Sequence, residues 1–297
     1  MKTSILKKAM TAALAGVALT SVTHSSLAGV GTQQALPLAR WQTLPPTPSP
    51  PHYDHVAHTR LRGVQLYSAE VGHGRPVILL HGGLANSDWW ALQVNALRRH
   101  HRVIVVDSRG HGRSTRDTTP YSYDLMADDV IALMDKWHIK RADIVGWSDG
   151  AVQALDIAMR YPDRVGKIVA FGANTNTAGS NPDIEQNATF GAFIERTGNE
   201  YAQLSPTPNE YDDFVAQIGQ MWGTQPNWTD EQLGTIQSEV LVLDGDHDEA
   251  IKLSHAEYIA MTIPHARLQI LPDTSHFAFI QDPAAFNRAI LQFLDDE

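Results

Sequence analysis

The chain has 297 residues, 43% of them hydrophobic, enough for one large α/β domain or two small ones. It has no cysteine, which excludes disulfides, thiolate zinc sites and a cysteine nucleophile. Its formal charge is −10 with no basic stripe or polybasic tail, which speaks against nucleic acid as a partner.

Residues 1–28 read as a cleaved export signal. Lys2, Lys7 and Lys8 form a positive start, residues 9–22 an alanine-rich apolar run, and Ser26-Leu27-Ala28 a small-x-small cleavage site. The run is short for a membrane span, which needs ~20 apolar residues. Cleavage removes three lysines and no acid, taking the charge from −10 to −13, and leaves no membrane segment. The expected location is the periplasm or the medium, where an unpaired thiol would be a liability.

Residues 29–55 follow as a leader rich in Gln, Thr and Pro. Leu44-Pro45-Pro46-Thr47-Pro48-Ser49-Pro50-Pro51 cannot form a helix or a central strand and is predicted to be an extended spacer. His52, His55 and His58 are spaced three apart beside it. No ligand shell accompanies them, so they are expected to be solvent-exposed and no metal site is assigned.

From residue 56 the pattern is that of a packed domain. Two alternating stretches, 56–61 and 64–70, flank Arg62-Gly63 and predict an antiparallel hairpin at a sheet edge. Pro76-Val77-Ile78-Leu79-Leu80 is a continuous apolar run, the signature of a parallel strand buried on both faces. Residues 86–100 read as a helix with Trp90, Val94 and Leu97 inward, and 102–106 as the next strand. Residues 123–137 form a helix with Leu125, Val130, Leu133 and Met134 inward. Strands are expected at 143–145, 167–171, 240–243 and 267–271, and a closing helix at 283–294. Strands alternating with helices imply a doubly wound, mostly parallel α/β sheet with helices on both faces. The domain is read as core over 56–172 and 239–297. Between them, residues 173–238 lack strong strands and hold helical stretches at 187–197, 209–222 and 229–236. They are expected to form a helical cap over the carboxyl edge of the sheet, since insertions of this length are usually lids or binding structures.

Residues 142–155 carry Gly146-Trp147-Ser148-Asp149-Gly150, a G-x-S-x-G after a short β-branched run and before a helical pattern closed by Pro162. Strand, tight turn, helix is the context in which such a serine stands clear on a strained turn. The pentapeptide alone is also compatible with an ordinary turn that contains serine. Nucleophilic catalysis needs a base, a group to orient it and donors for an oxyanion. His276, in the loop after the last strand, is the base candidate. The acid candidate lies in Asp244-Gly245-Asp246-His247-Asp248-Glu249, a stretch that also reads as a solvated acidic loop or as a metal site of Asp246, His247 and Asp248. Spacing from the strand favours Asp248 over Asp246, because the acid must curl back over the edge. The oxyanion donors are expected to be the amide of Asp149 and one from His81-Gly82-Gly83-Leu84, Gly83 before Leu84.

The order of HGG, G-x-S-x-G, an acidic loop and a late histidine, each after a buried strand, resembles the α/β-hydrolase fold superfamily of serine esterase-like enzymes. Asp107-Ser108-Arg109-Gly110-His111-Gly112-Arg113-Ser114 is similar to that family's D-x-R-G-x-G-x-S turn, which is structural there. The resemblance implies Ser148 as nucleophile, Asp248 as acid, His276 as base and a cap after the sixth strand. The elbow and Phe171-Gly172-Ala173-Asn174 resemble the valacyclovir hydrolase (biphenyl hydrolase-like) group, in which the acid after the nucleophile is implicated in binding a substrate amino group.

Serine at the elbow argues against dehalogenase and epoxide hydrolase chemistry, which use aspartate there in this fold. The reading is an exported, cofactor-free and metal-free hydrolase of a small carboxylic ester. Asp149 either favours α-amino esters or makes a hydrogen bond within its own loop. Trp147 and Trp222 are candidates for substrate contact, along with cap aromatics that the sequence cannot sort from packing residues. The alternatives are a cofactor-free perhydrolase or haloperoxidase-type enzyme, a carbon–carbon bond hydrolase, and a non-catalytic ligand binder. The oligomeric state is not readable from the sequence.

Overall fold

The computed structural model describes residues 37–296. The expected export signal and the first part of the leader lie outside them.

Eight strands form one sheet. They are β1 (His55–Leu61), β2 (Val64–Val71), β3 (Arg75–Leu80), β4 (His101–Val106), β5 (Ala142–Trp147), β6 (Val165–Phe171), β7 (Val240–Gly245) and β8 (Ala266–Leu271). Their spatial order is β1-β2-β4-β3-β5-β6-β7-β8. β1 and β2 form the expected hairpin, antiparallel to each other, and β2 is antiparallel to β4; every other neighbouring pair is parallel. Arg62 and Gly63 both have positive φ, 45° and 90°. That is what a two-residue turn matched to the twist of its strands requires.

The apolar runs are continuous because the parallel strands are covered on both faces. Alternate residues supply two cores. Val77, Leu79, Val103, Val145, Val169 and Leu241 face one side, against Val94 and Leu97 of α1 (Ala91–Leu97) and Phe286, Ile290 and Phe293 of α8 (Pro283–Asp295). Ile78, Leu80, Ile104, Ile144, Ile168 and Val240 face the other. There they meet Val130 and Met134 of α2 (Tyr123–Lys136), Leu155 and Ile157 of α3 (Asp149–Arg160) and Ile259 of α7 (Leu253–Thr262).

Three local expectations are amended. The helix expected at 86–100 is a 3-10 turn, Ser87–Trp90, followed by α1. In α2, Leu125 is only half-buried and Met126 takes the inward place. α7 was not anticipated, since its buried face holds only His255, Ala256 and Ile259, too faint an apolar period to read.

Between β6 and β7 the chain leaves the sheet for α4 (Ala188–Leu204), α5 (Tyr211–Trp222) and α6 (Asp230–Leu233). Asn187 caps α4 by accepting from Thr189 and Phe190 N–H groups, and Thr229 with Gln232 forms a capping box on α6. Phe214, Val215, Ile218 and Met221 of α5 join Leu84, Tyr121, Tyr123, Met126 and Val152 in a third cluster that seats the cap. The proline run forms neither helix nor strand, and residues 43–45, 47 and 48 are half-buried against the domain, so this part is not a free spacer.

Candidate active site

The parallel strands end together, with Leu80 opposite Gly146, Trp147 opposite Phe171, Phe171 opposite Leu243 and Gly245 opposite Leu271. The loops that follow therefore open on one edge, and the candidate site residues lie in them, at the strand and helix ends that adjoin them (Trp147, Asp149), or in the cap (Trp222).

Ser148 follows the fully buried β5 directly and has φ 54° and ψ −119°. A non-glycine residue holds such a conformation, at about 1–3 kcal/mol, only where its surroundings impose it. Here the Ser148 N–H donates to Phe171 O at 2.8 Å, and its carbonyl accepts from Ala151 and Val152 N–H at 2.8 and 3.0 Å. The following glycine permits the turn: a Cβ on Gly150 would stand 2.0 Å from Leu80 O. Asp149 opens α3, so its amide has no partner within the helix and lies where the helix favours negative charge.

The acidic loop and the late histidine meet. His276 Nδ1 and Asp248 Oδ2 are 2.7 Å apart, and both side chains are buried, 3% and 1% exposed. Asp248 Oδ1 accepts from the Ala250 and Ile251 amides, each at 2.7 Å. Burial alone would raise the Asp248 pKa, but His276 and these donors hold it below the usual carboxylate value. Burial would lower His276, and the carboxylate on Nδ1, with Glu249 and Asp149 behind, raises it above 6.5 instead. Asp246 takes a different place, bonded to His247 Nδ1 at 2.8 Å and Thr274 N–H at 3.2 Å. Asp244 is fully buried, and burial together with the neighbouring Asp248 pushes its pKa well above the usual carboxylate value. Among the described residues no group of three His, Asp or Glu side chains is placed to hold a metal ion.

Gly83, Trp147, Ser148, Phe190, Phe193, Trp222 and His276 line one cavity of ≈ 20 Å³, about the room one water requires. Gly83 is in it; Leu84, at φ 64°, instead sends its side chain into the cap cluster. A Cβ on Gly83 would meet Trp222 Cζ2 at 2.4 Å and Asp149 Oδ2 at 2.5 Å, so these three residues converge beside the serine. Trp147 is 1% exposed, with ring centroids 4.6 Å from Phe279 and 5.5 Å from Trp89, and serves the core more than the cavity.

Asp149 makes no side-chain bond within its loop. Its carboxylate accepts from Tyr123 Oη at 2.8 Å and from Trp222 Nε1 at 2.9 Å. Burial raises its pKa to about 6, and the two neutral donors only partly offset this. Nothing in the sequence spacing singles out Tyr123, Phe190 or Phe193 for this site. Tyr123 reads as the first residue of a helix, and the two phenylalanines read like any apolar face of a cap helix.

An imidazole held by a carboxylate at Nδ1 keeps Nε2 to take a proton. A serine on a strained turn shares its cavity, with unpaired amide donors beside it. Such an arrangement can carry nucleophilic acyl chemistry.

Residues 77–289 match the Alpha/beta hydrolase family. Among curated relatives, the chain is 31% identical over 251 residues to RutD, a candidate carbamate hydrolase from Caulobacter sp. (strain K31), covering 75% of this chain and 92% of that one. It is 28% identical over 251 residues to the serine hydrolase BPHL of Mus musculus, covering 80% and 86%. The solved meta-cleavage product hydrolase CumD of Pseudomonas fluorescens IP01 superposes with a TM-score of 0.69 at 28% identity, over 82% of this chain and 98% of that one. By its match over most of its length, its sheet and its hydrolase relatives, this chain belongs to the Alpha/beta hydrolase family and is a hydrolase.

Proposed function

We propose that the protein is an exported serine hydrolase that cleaves a small carboxylic ester through an acyl-enzyme. Ser148 attacks the carbonyl while His276 Nε2 takes its proton, and Asp248 holds the imidazole and its positive form. The oxyanion rests on the amides of Asp149 and Gly83, each donor worth ~2.7–4 kcal/mol of barrier. His276 then returns the proton to the leaving alcohol, and water deacylates the serine. The observation that carries this reading is the meeting of Ser148, at φ 54°, with the 2.7 Å Asp248–His276 pair around one cavity. The test is a p-nitrophenyl ester panel with the mature protein beside Ser148→Ala. Turnover is expected to fall at least about 10⁴-fold in the variant, and equal turnover would sink the assignment. Cell fractionation tests export: the chain belongs in the periplasm or medium, shortened by the first 28 residues.

Asp149 supports an α-amino ester as the preferred substrate. It is a buried carboxylate beside the nucleophile whose only side-chain bonds come from neutral groups. A substrate ammonium would supply the missing cation. Asp149→Asn should then erase the preference for amino-acid esters over the matching des-amino esters, and an unchanged preference would refute it. The carbon–carbon bond reading is separated by products, since esters give an acid and an alcohol.

A further inference from the structure

Residues 40–47 run across three parts of the molecule that lie far apart in the chain. The Arg40 guanidinium pairs with Asp273, at 3.3 Å, and with Asp282. The Trp41 indole stacks on His247, with ring centroids 4.5 Å apart and planes 13° from parallel. The Trp41 and Thr43 carbonyls accept from Gln281 Nε2 at 3.3 and 2.7 Å, and Gln281 Oε1 accepts in turn from Ser275 N–H at 2.7 Å. Further along, the Leu44 and Pro45 carbonyls accept from Arg196 of α4, the first at 2.9 Å. Thr47 donates to Glu200 at 2.5 Å, and the other Glu200 oxygen accepts from Asn86 and Trp89 at 2.7 and 2.8 Å.

His247 precedes Asp248 and Ser275 precedes His276. We propose that residues 40–47 act as a positioning strap, which sets how the Asp248 and His276 loops meet and ties cap helix α4 to the same edge. This role rests on the reading of Ser148, His276 and Asp248 given above. It extends that reading to side chains that touch no reacting atom. The two loops already bond each other through His247 N–H to Thr274 O at 3.0 Å and Asp246 N–H to Leu271 O at 3.1 Å. Thr274 N–H to Asp246 Oδ1 at 3.2 Å and His276 N–H to Glu249 Oε2 at 3.1 Å join them further. The strap adds a brace to each loop from a third segment, with Trp41 on the acid loop and Arg40 and the Gln281 bridge on the base loop. Its proline content suits the task. Proline fixes φ and has no N–H, so Leu44-Pro45-Pro46 stays extended at little entropic cost and presents carbonyls that Arg196 can take.

The test uses the full mature chain with Trp41→Ala, Trp41→Phe and Arg40→Gln, Arg40 being 38% exposed so that its loss does not threaten folding. The readouts are kcat and KM on a p-nitrophenyl ester, the rate of Ser148 labelling by a fluorophosphonate, and thermal unfolding. Trp41→Ala and Arg40→Gln should each lower kcat and the labelling rate by about tenfold with KM within about twofold, as expected for groups displaced by a fraction of an ångström. Trp41→Phe, which keeps a ring on His247, should recover most of the loss. Folded variants with wild-type kcat and labelling would overturn the proposal, whatever their melting temperature. Should Ser148→Ala keep wild-type activity, the underlying reading falls and the strap with it, a result distinct from failure of the strap alone.

Discussion

Two buried carboxylates flank Ser148, and they are solvated in opposite ways. Asp248, on the sheet side, has two backbone amides and an imidazole, and its pKa is held down. Asp149, on the cap side, has an indole and a phenol as donors, no bonded cation with His276 acting on it only through space, and a pKa raised to about 6. The sheet side is complete before any substrate arrives, built from loops locked by short backbone bonds. The cap side is left short of a positive charge. In a water-poor site such a shortfall costs stability unless a ligand or proton fills it. On the proposed function, the difference separates what the site would do to any acyl group from what it would select.

The contrast can be broken most severely on the sheet side. Asp248→Asn should lower kcat/KM by about 10⁴-fold, as loss of an orienting carboxylate does in serine hydrolases. It should also move the acid limb of the pH profile downward. In the wild type that limb is expected above the ordinary histidine value of 6.5, because Asp248 favours the imidazolium. A limb that stays in place would break the pairing.

On the cap side the effects are smaller and selective. Asp149→Asn should cost amino-acid esters about 30-fold, roughly 2 kcal/mol, while sparing des-amino esters. The same substitution should stabilise the fold at neutral pH. The unfolded carboxyl ionises near 3.8 and the folded one at about 6, so wild-type stability falls as pH rises between these values and stays reduced above them. The gain from asparagine is at most about 3 kcal/mol at pH 7.5 and vanishes near pH 4, less whatever its unpaired amide costs. Denaturant midpoints at the two pH values measure it. Smallest of the three, Trp222→Phe removes one donor from Asp149 and should raise that carboxyl's pKa further. It should destabilise the ionised form by about 1.5–3 kcal/mol and change des-amino ester turnover only a few-fold. A larger loss on plain esters would mean that Trp222 contacts the reacting group itself.

Much of this was legible in the chain because it was written in buried strands. Runs such as Val77-Ile78-Leu79-Leu80 are continuous only when helices cover both faces, so the sheet and the edge on which Ser148 stands follow from hydrophobic pattern. The meeting of Asp248 and His276 was within reach for the same reason, since both come one short loop after a strand. The Asp149 environment was not. Tyr123 and Trp222 reach it from elements 26 and 73 residues away, and nothing in their spacing marks a polar duty. The seating of residues 40–47 was hidden more deeply. Four of its bonds use the carbonyls of Trp41, Thr43, Leu44 and Pro45, which every residue possesses, and the partners of the Arg40, Trp41 and Thr47 side chains lie far off in the chain, so composition reported only that the segment would be extended.

The narrowness of the cavity beside Ser148, lined in part by Phe190, Phe193 and Trp222, has a kinetic consequence. A space of ≈ 20 Å³ has room for about one water, so capture of an ester is expected to wait on movement of those side chains, with only the opened fraction of molecules competent. Association of even a small covalent inhibitor should then run well below the collision limit. It should quicken when Phe190→Ala props the gate open, before any bond at the serine has changed.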